Sequence, residues 1–179
     1  MRAFVAIPLP PHLQSTLADY AGGAGIAGAR PIPAENLHVT VHFLGAVGDH
    51  DAAGLAAALA EACRAAEPFA ITVADASLAP PRRPRMIWAR LDAPEAFADL
   101  VAAVADAATP FAPDARGPRP GRPHVTLARM RRPLRRATPL PPLPAAGTTV
   151  AVPACVLVRS ELGRGGSRYT TLATLPLGE

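Results

Sequence analysis

His38-Val39-Thr40-Val41-His42-Phe43-Leu44 is the stretch on which the fold turns, because its opening returns later as His124-Val125-Thr126-Leu127. The two copies start at positions 38 and 124, close to half a chain apart in 179 residues. Successive side chains of a strand alternate between faces. Val39, Val41 and Phe43 are therefore expected on one side, and His38, Thr40 and His42 on the other. Val125 and Leu127 oppose His124 and Thr126 in the same way. Two such copies predict two related lobes, each supplying one His-x-Thr strand to a shared cleft.

Working outward, Arg2 to Leu9 reads as a strand stopped by prolines, and residues 11 to 21 as a short helix with Leu13 and Leu17 four apart. A Gly/Ala/Pro loop runs to about Pro33, and the first motif strand spans Leu37 to Leu44. Asp49 or Asp51 is placed to cap a helix from about 51 to 66, whose apolar stripe is Leu55, Leu59, Ala62 and Cys63. Phe69 to Leu78 and Met86 to Leu91 read as strands on either side of a Pro80–Pro84 turn. Pro94 starts a helix to about 108, with Phe97, Leu100, Val101, Val104 and Ala108 on one face. Pro123 to Met130 is the second motif strand, and residues 131 to 147 form a Pro/Arg-rich linker. Thr148 to Leu162 and Tyr169 to Leu177 close the chain as two strands joined through a Gly163-to-Gly166 turn. This order lacks the strict βα alternation of a doubly wound sheet. The expected class is α+β: one bilobal domain over 1–179 with a pseudo-twofold duplication. Two largely antiparallel sheets line a central cleft, with helices outside.

Composition narrows the function. Half of the residues are hydrophobic but only 4% are aromatic, so the core is built from Leu, Val and Ala. No run approaches the ~18 uncharged apolar residues of a membrane span, and the opening apolar run is too short for a signal-peptide core. A soluble, cytoplasmic protein is expected. Cys63 and Cys155 are far apart with no Cys-x-x-Cys or Cys/His cluster, so both read as buried thiols rather than as a disulfide or metal site. All 18 basic residues are arginine, and the formal charge is +4. Arg116, Arg119, Arg122, Arg129, Arg131, Arg132, Arg135 and Arg136 crowd one segment, and Arg82, Arg83, Arg85 and Arg90 form a second group. Such clusters suit phosphate-bearing partners, although a solvated proline-rich loop would look the same.

On an extended strand, residues i and i+2 are separated by about 6 to 7 Å on one face, so each motif displays an imidazole beside a hydroxyl. Two such strands facing a cleft can surround one phosphate. Histidine moves its proton most readily near neutral pH, so one ring can accept a proton while the other donates one. Threonine hydroxyls can donate to phosphate oxygens, and Arg129 can neutralise charge that grows in the transition state. His38 and His42 stand about 13 Å apart along a strand, too far to share a metal ion, and no metal is called for. His42 is a candidate for an outer subsite or for a solvent-facing residue. His12 and His50 are expected to be exposed. Phe4, Phe43 and Trp88 are candidates for stacking on a base, with core packing preferred for each. No phosphate loop of the Walker type and no Gly-x-Ser-x-Gly elbow is present.

At this level the chain resembles the two-histidine (2H) phosphoesterase superfamily, and within it the bacterial RNA 2′,3′-cyclic phosphodiesterase, 2′-5′ RNA ligase or LigT-like family. The resemblance rests on Met1–Ile7, on Pro33-Ala34-Glu35-Asn36-Leu37 leading into the first motif, and on Arg85-Met86-Ile87-Trp88. It extends through Arg122-Pro123-His124 to Arg129, and through Arg159–Leu162 and Gly166–Tyr169. It implies a bilobal α+β fold and hydrolysis of a 2′,3′-cyclic phosphate RNA end to a 2′-phosphate. By the same resemblance His124 is the base that activates water and His38 the acid that protonates the departing 3′ oxygen. Thr40, Thr126 and Arg129 match phosphate-contacting positions. Ligation of 2′-5′ linked RNA is the same chemistry reversed, without a nucleotide cofactor. Val41 stands where the family often has Leu, and His42 where a cation or an apolar residue is common.

The expected activity is thus a cofactor-free and metal-free phosphodiesterase acting on RNA with a 2′,3′-cyclic phosphate end, as a monomer needing no obligate protein partner and no membrane. A non-catalytic RNA-end-binding module would instead bind salt-sensitively without turnover and survive loss of both histidines. A third reading keeps the chemistry and changes the substrate to a small cyclic nucleotide.

Overall fold

The computed structural model describes residues 1–113, 115, 123–134, 139–163 and 166–178. Arg116, Arg119, Arg122, Arg135 and Arg136 of the expected basic segment lie outside these residues. The elements run β1 (Arg2–Pro8), α1 (Pro11–Gly23), β2 (Ala29–Pro31), β3 (His38–Ala46), α2 (Ala52–Arg64), β4 (Phe69–Ala79) and β5 (Met86–Asp92). They continue with α3 (Glu95–Ala108), β6 (His124–Met130), β7 (Thr149–Val152), β8 (Ala154–Gly163) and β9 (Gly166–Pro176).

The architecture is α+β, as the element order predicts. Its antiparallel strands join into one sheet of order β7-β4-β5-β6-β3-β1-β8-β9, with β2 added beside β6. Four strands therefore lie on either side of the β3–β6 contact. That contact is antiparallel and pairs Val39 with Val125, so the two expected sheets are continuous through the motif strands themselves.

Apolar spacing explains the helices. Leu13, Leu17, Tyr20 and Ala21 are the buried stripe of α1, Leu55, Leu59 and Cys63 that of α2, and Phe97, Leu100, Val101, Val104 and Ala108 that of α3. Burying each large aliphatic side chain contributes about 1.5–3 kcal/mol. Pro11 and Pro94 mark the entries of α1 and α3, where a missing N–H costs nothing. The capping expected of Asp49 or Asp51 is absent: α2 has no side-chain cap. Asp49 instead lies 3.3 Å from the amino terminus of Met1. Helix α2 packs on α3 and β9, α3 on β3, and α1 on β2 and β6. The main core lies between these helices and the sheet. A second apolar cluster of Phe4, Ala6 and Val158, with Val156 and Tyr169 at its edge, lies apart from it.

Two further expectations change. The single strand expected over 148–162 is two, because Pro153 has no N–H for a ladder. Strand β7 pairs with β4 in one half and β8 with β1 in the other, so Pro153 is where the chain crosses between halves. The loop expected before Pro33 contains β2, three residues paired with Ala128–Met130 of β6. Cys63 and Cys155 are both fully buried, as expected. The fold nevertheless brings their thiols into hydrogen-bonding contact, and that bond together with burial pushes the Cys155 thiol up.

Candidate active site

Strict alternation fails at the same point in both motif strands, and the failure builds the site. Across β1 and β3, Val5 pairs with His42 and Ala6 with Thr40, which leaves Val41 as an extra residue. Across β5 and β6, Ile87 pairs with Ala128 and Trp88 with Thr126, which leaves Leu127 extra. Each is a β-bulge, which reverses the facing of the residues that follow it, until in β3 a second irregularity leaves Leu44 extra. Val41 and His42 both turn to the core side, as do Leu127 and Ala128. Phe43 and Arg129 then rejoin the face of the motif histidines. Unbulged, Arg129 would point away from His124.

His42 therefore does not share a face with His38. It is only 5% exposed, its Nδ1 has no hydrogen-bond partner, and burial lowers its pKa. Phe43, expected in the core, is 48% exposed, with its ring 6.2 Å from that of Phe4. His12 and His50 are exposed, as expected.

His38 is held on several sides. Its Nδ1–H donates to the Asn36 carbonyl at 2.7 Å, since a carbonyl can only accept. This bond leaves Nε2 toward Thr40, whose Oγ1 is 3.2 Å away. Phe4 stacks on the ring at 4.8 Å, and Tyr169 meets it edge-on at 5.5 Å. The Asn36 turn is itself anchored: Asn36 Nδ2 donates to the Ser167 carbonyl, and Gln14 Nε2 to the Leu37 carbonyl. Burial lowers the His38 pKa, the Asn36 bond opposes that, and the charges of Arg129 and His124 push it down further. Those two interactions place His124 and Arg129 within electrostatic reach of His38.

His124 stacks on Trp88 at 3.8 Å, with the planes 21° apart. The Trp88 Nε1–H is buried without a partner, so this indole serves the site as a surface. Thr126 pairs with Trp88 across the ladder and shares the His124 face. Arg129 is exposed, and its guanidinium touches the Met86 sulfur, at 3.7 Å. The structure thus brings His38, Thr40, His124, Thr126 and Arg129 to one face of two adjoining strands. Sequence reading assigned no role to Asn36 or Tyr169, and it ranked Phe4 and Trp88 as packing residues. Asn36 carried a signal only through its place just before the motif. Among the described residues no group of three or more His, Cys, Asp or Glu is placed to hold a metal ion. No described helix is long and apolar enough to cross a membrane.

The arrangement offers two imidazoles, two hydroxyls and a guanidinium around a space bordered by aromatic rings, which is the equipment for proton transfer at a phosphate. Comparisons with known proteins bear on the family. A family model for LigT-like phosphoesterases matches residues 7–88. The RNA 2′,3′-cyclic phosphodiesterase of Escherichia coli strain K12 is 30% identical over 177 residues, spanning 96% of this chain and 93% of that protein. A Geobacillus stearothermophilus protein of the same name is 30% identical over 186 residues. That alignment covers 97% of this chain, and the chain spans only 56% of that relative's length. A crystal structure of a Thermus thermophilus protein superposes with a TM-score of 0.83 at 28% identity, each chain covered in full. With fold, paired motifs and a nearly full-length relative in agreement, the chain belongs to the LigT-like phosphoesterase family.

Proposed function

We propose that this protein is an RNA 2′,3′-cyclic phosphodiesterase that opens a terminal cyclic phosphate to a 2′-phosphate by His/His acid–base catalysis. Water attacks phosphorus in line with the P–O3′ bond. The water oxygen–phosphorus bond forms, the P–O3′ bond breaks, His124 takes the proton from water, and His38 delivers a proton from Nε2 to the departing 3′ oxygen. Thr40 and Thr126 donate to the non-bridging oxygens, and Arg129 offsets the charge that accumulates on them. Each step uses a side chain of this protein, so the scheme needs neither metal nor nucleotide cofactor. A ribose 5′ hydroxyl in place of water would form the O5′–P bond, break the same P–O3′ bond and so give a 2′-5′ linkage. In this reading the two four-stranded halves are the lobes of one domain, and a monomer suffices.

The observation that carries it is the Val39–Val125 pair, which sets the two His-x-Thr strands side by side with both histidines on one face. The Asn36 bond gives the acid its function: with Nδ1–H committed to a carbonyl, a second proton on His38 must sit on Nε2. The test is turnover of an RNA oligonucleotide ending in a 2′,3′-cyclic phosphate, with 2′- and 3′-phosphate products separated, with and without EDTA. A 2′-phosphate product formed equally in EDTA is expected. A 3′-phosphate product, or binding without turnover, overturns the reading.

A further inference from the structure

Antiparallel pairing gives the cleft a direction. Strand β6 runs from His124 past the level of His38 to Arg129, so Arg129 and the Asn36 turn share the His38 end. Beyond them the same end carries an arginine terrace. Arg30 pairs with Arg129 across β2–β6, and Met86 pairs with Arg129 across β5–β6. The Met130 N–H donates to the Arg85 carbonyl at 2.8 Å, and the Leu134 N–H to the Pro84 carbonyl at 2.9 Å. These bonds draw the turn bearing Arg82, Arg83 and Arg85 against Arg131 and Arg132. All six arginines outside the site (Arg30, Arg82, Arg83, Arg85, Arg131 and Arg132) are exposed.

None of the six is in an ion pair among the described residues. Arg64, Arg90 and Arg159, elsewhere in the fold, are paired with Glu61, Asp75 and Glu161. The stretches 25–34, 79–88 and 125–134 that carry the terrace contain no Asp or Glu, and the acid that follows the first of them is Glu35 of the Asn36 turn. Six exposed guanidinium groups without an acidic partner make a surface that attracts a polyanion. A groove of about 600 Å³ borders the Asn36 turn, and its walls carry the acids Glu35 and Glu161 beside Asn36, Leu162 and Tyr169. Leu162 is 75% exposed there.

Resting on the activity proposed above, we propose that the RNA leaves the cleft at the His38 end, with the phosphates 5′ of the reacting nucleotide lying along the arginine terrace. The direction follows from the chemistry: His38 protonates the ribose oxygen, so the ribose and the chain attached to it lie at that end. Arginine suits this task because its planar fork binds phosphate oxygens in pairs. The favoured substrate is then an oligonucleotide end rather than a free cyclic mononucleotide.

The test compares cytidine 2′,3′-cyclic monophosphate with a ten-nucleotide RNA bearing the same terminus. Both are given to the wild type and to a variant combining Arg82→Ala, Arg83→Ala, Arg131→Ala and Arg132→Ala. Arg129 and both histidines are untouched, and the four sites are exposed, so the fold is retained, as circular dichroism checks. The variant should turn over the mononucleotide within about twofold of wild type. On the RNA it should lose at least about tenfold in kcat/KM, mainly through KM. The salt slope of log kcat/KM should shallow by roughly 3, since each single-strand phosphate left without its arginine removes about 0.7. Equal losses on both substrates, or no loss on the RNA, overturn the proposal. Were the wild type to turn over neither substrate, the activity would fall while the terrace stayed testable by fluorescence anisotropy of the labelled RNA. Weaker, less salt-sensitive RNA binding by the variant supports the terrace. Unchanged RNA binding overturns it, including the case where only retention on anionic vesicles is lost.

Discussion

The seven residues His38–Leu44 and the seven residues His124–Met130 follow one burial sequence: half-buried, buried, half-buried, buried, buried, exposed, buried. Both carry a bulge after the threonine, so the two halves use one backbone device. What they hang on it differs. Five residues after the histidine stands Phe43 in one half and Arg129 in the other. Four residues after it stands His42 in one half and Ala128 in the other. His38 is flanked by Phe4 and Tyr169, whereas His124 has Trp88. The two strands share one frame, and for the asymmetric reaction proposed above the i+5 position is where they differ, a ring in one half and a charge in the other.

The sharpest way to break this comparison is to remove each histidine in turn. His38→Ala and His124→Ala should each lower kcat on the cyclic substrate by about 10²–10⁴-fold, with circular dichroism unchanged. The variants should differ in the pH limb they lose: the alkaline limb with the acid His38, and the acidic limb with the base His124. Near wild-type turnover in either variant, or the same limb lost in both, would end the division of roles.

Substitutions at the i+5 pair sharpen it further. Arg129→Ala should lower kcat by about 10²-fold, since it removes a cation facing the developing charge. Arg129→Lys should recover only part of that, because a point charge does not replace a two-pronged donor. Phe43→Ala should leave kcat within about threefold and raise KM by roughly tenfold, the scale of one lost base–ring stack. If Phe43→Ala struck kcat as hard as Arg129→Ala, the two positions would not be specialised.

Much of this was legible beforehand, and its limits have a physical cause. Helices α1, α2 and α3 announced themselves because Leu, Val and Phe recur at helical spacing. The motif strands announced themselves because His-x-Thr came twice. The bulges did not, since one extra residue leaves no mark in composition: His-Val-Thr-Val-His reads as plain alternation. Both errors of facing, His42 outward and Phe43 inward, follow from that one omission. The aromatic contacts on the histidines are long-range, with Phe4 arriving from β1, Trp88 from β5 and Tyr169 from β9. No local pattern carries such contacts. Pro153 was visible, and its chain-breaking property would have divided the 148–162 strand.

A smaller effect concerns His38, the acid of the proposed reaction. The His38 pKa is lowered by burial and further by the nearby Arg129 and His124 charges. An acid must be protonated to act, so the alkaline limb of kcat/KM, which reports the free enzyme, should lie below the ordinary histidine value of about 6.5. The bound phosphate is an anion facing the same ring, so the corresponding limb of kcat should lie higher. Arg129→Ala removes one of the depressing charges and should move the free-enzyme limb upward. A limb that stays in place in that variant would mean that Arg129 does not face His38.

The smallest expected effect tests the i+4 pair, where one half buries an imidazole and the other a methyl group. Burial lowers the His42 pKa in the fold, and the unfolded chain returns it to about 6.5. Between its lowered folded value and about 6.5 the unfolded state binds more protons, so stability rises with pH across that window and is lost as pH falls through it. His38, also lowered, contributes in the same direction. His42→Leu keeps most of the volume, removes the unpartnered Nδ1, and should change stability at about pH 7.5 by no more than about 1 kcal/mol, in the stabilising direction. Its distinct mark is the slope: the gap between urea midpoints at about pH 7.5 and about pH 5.5 should narrow relative to wild type without closing, because His38 remains. An unchanged gap would place the His42 ring in water and remove the bulge-driven inversion of this strand.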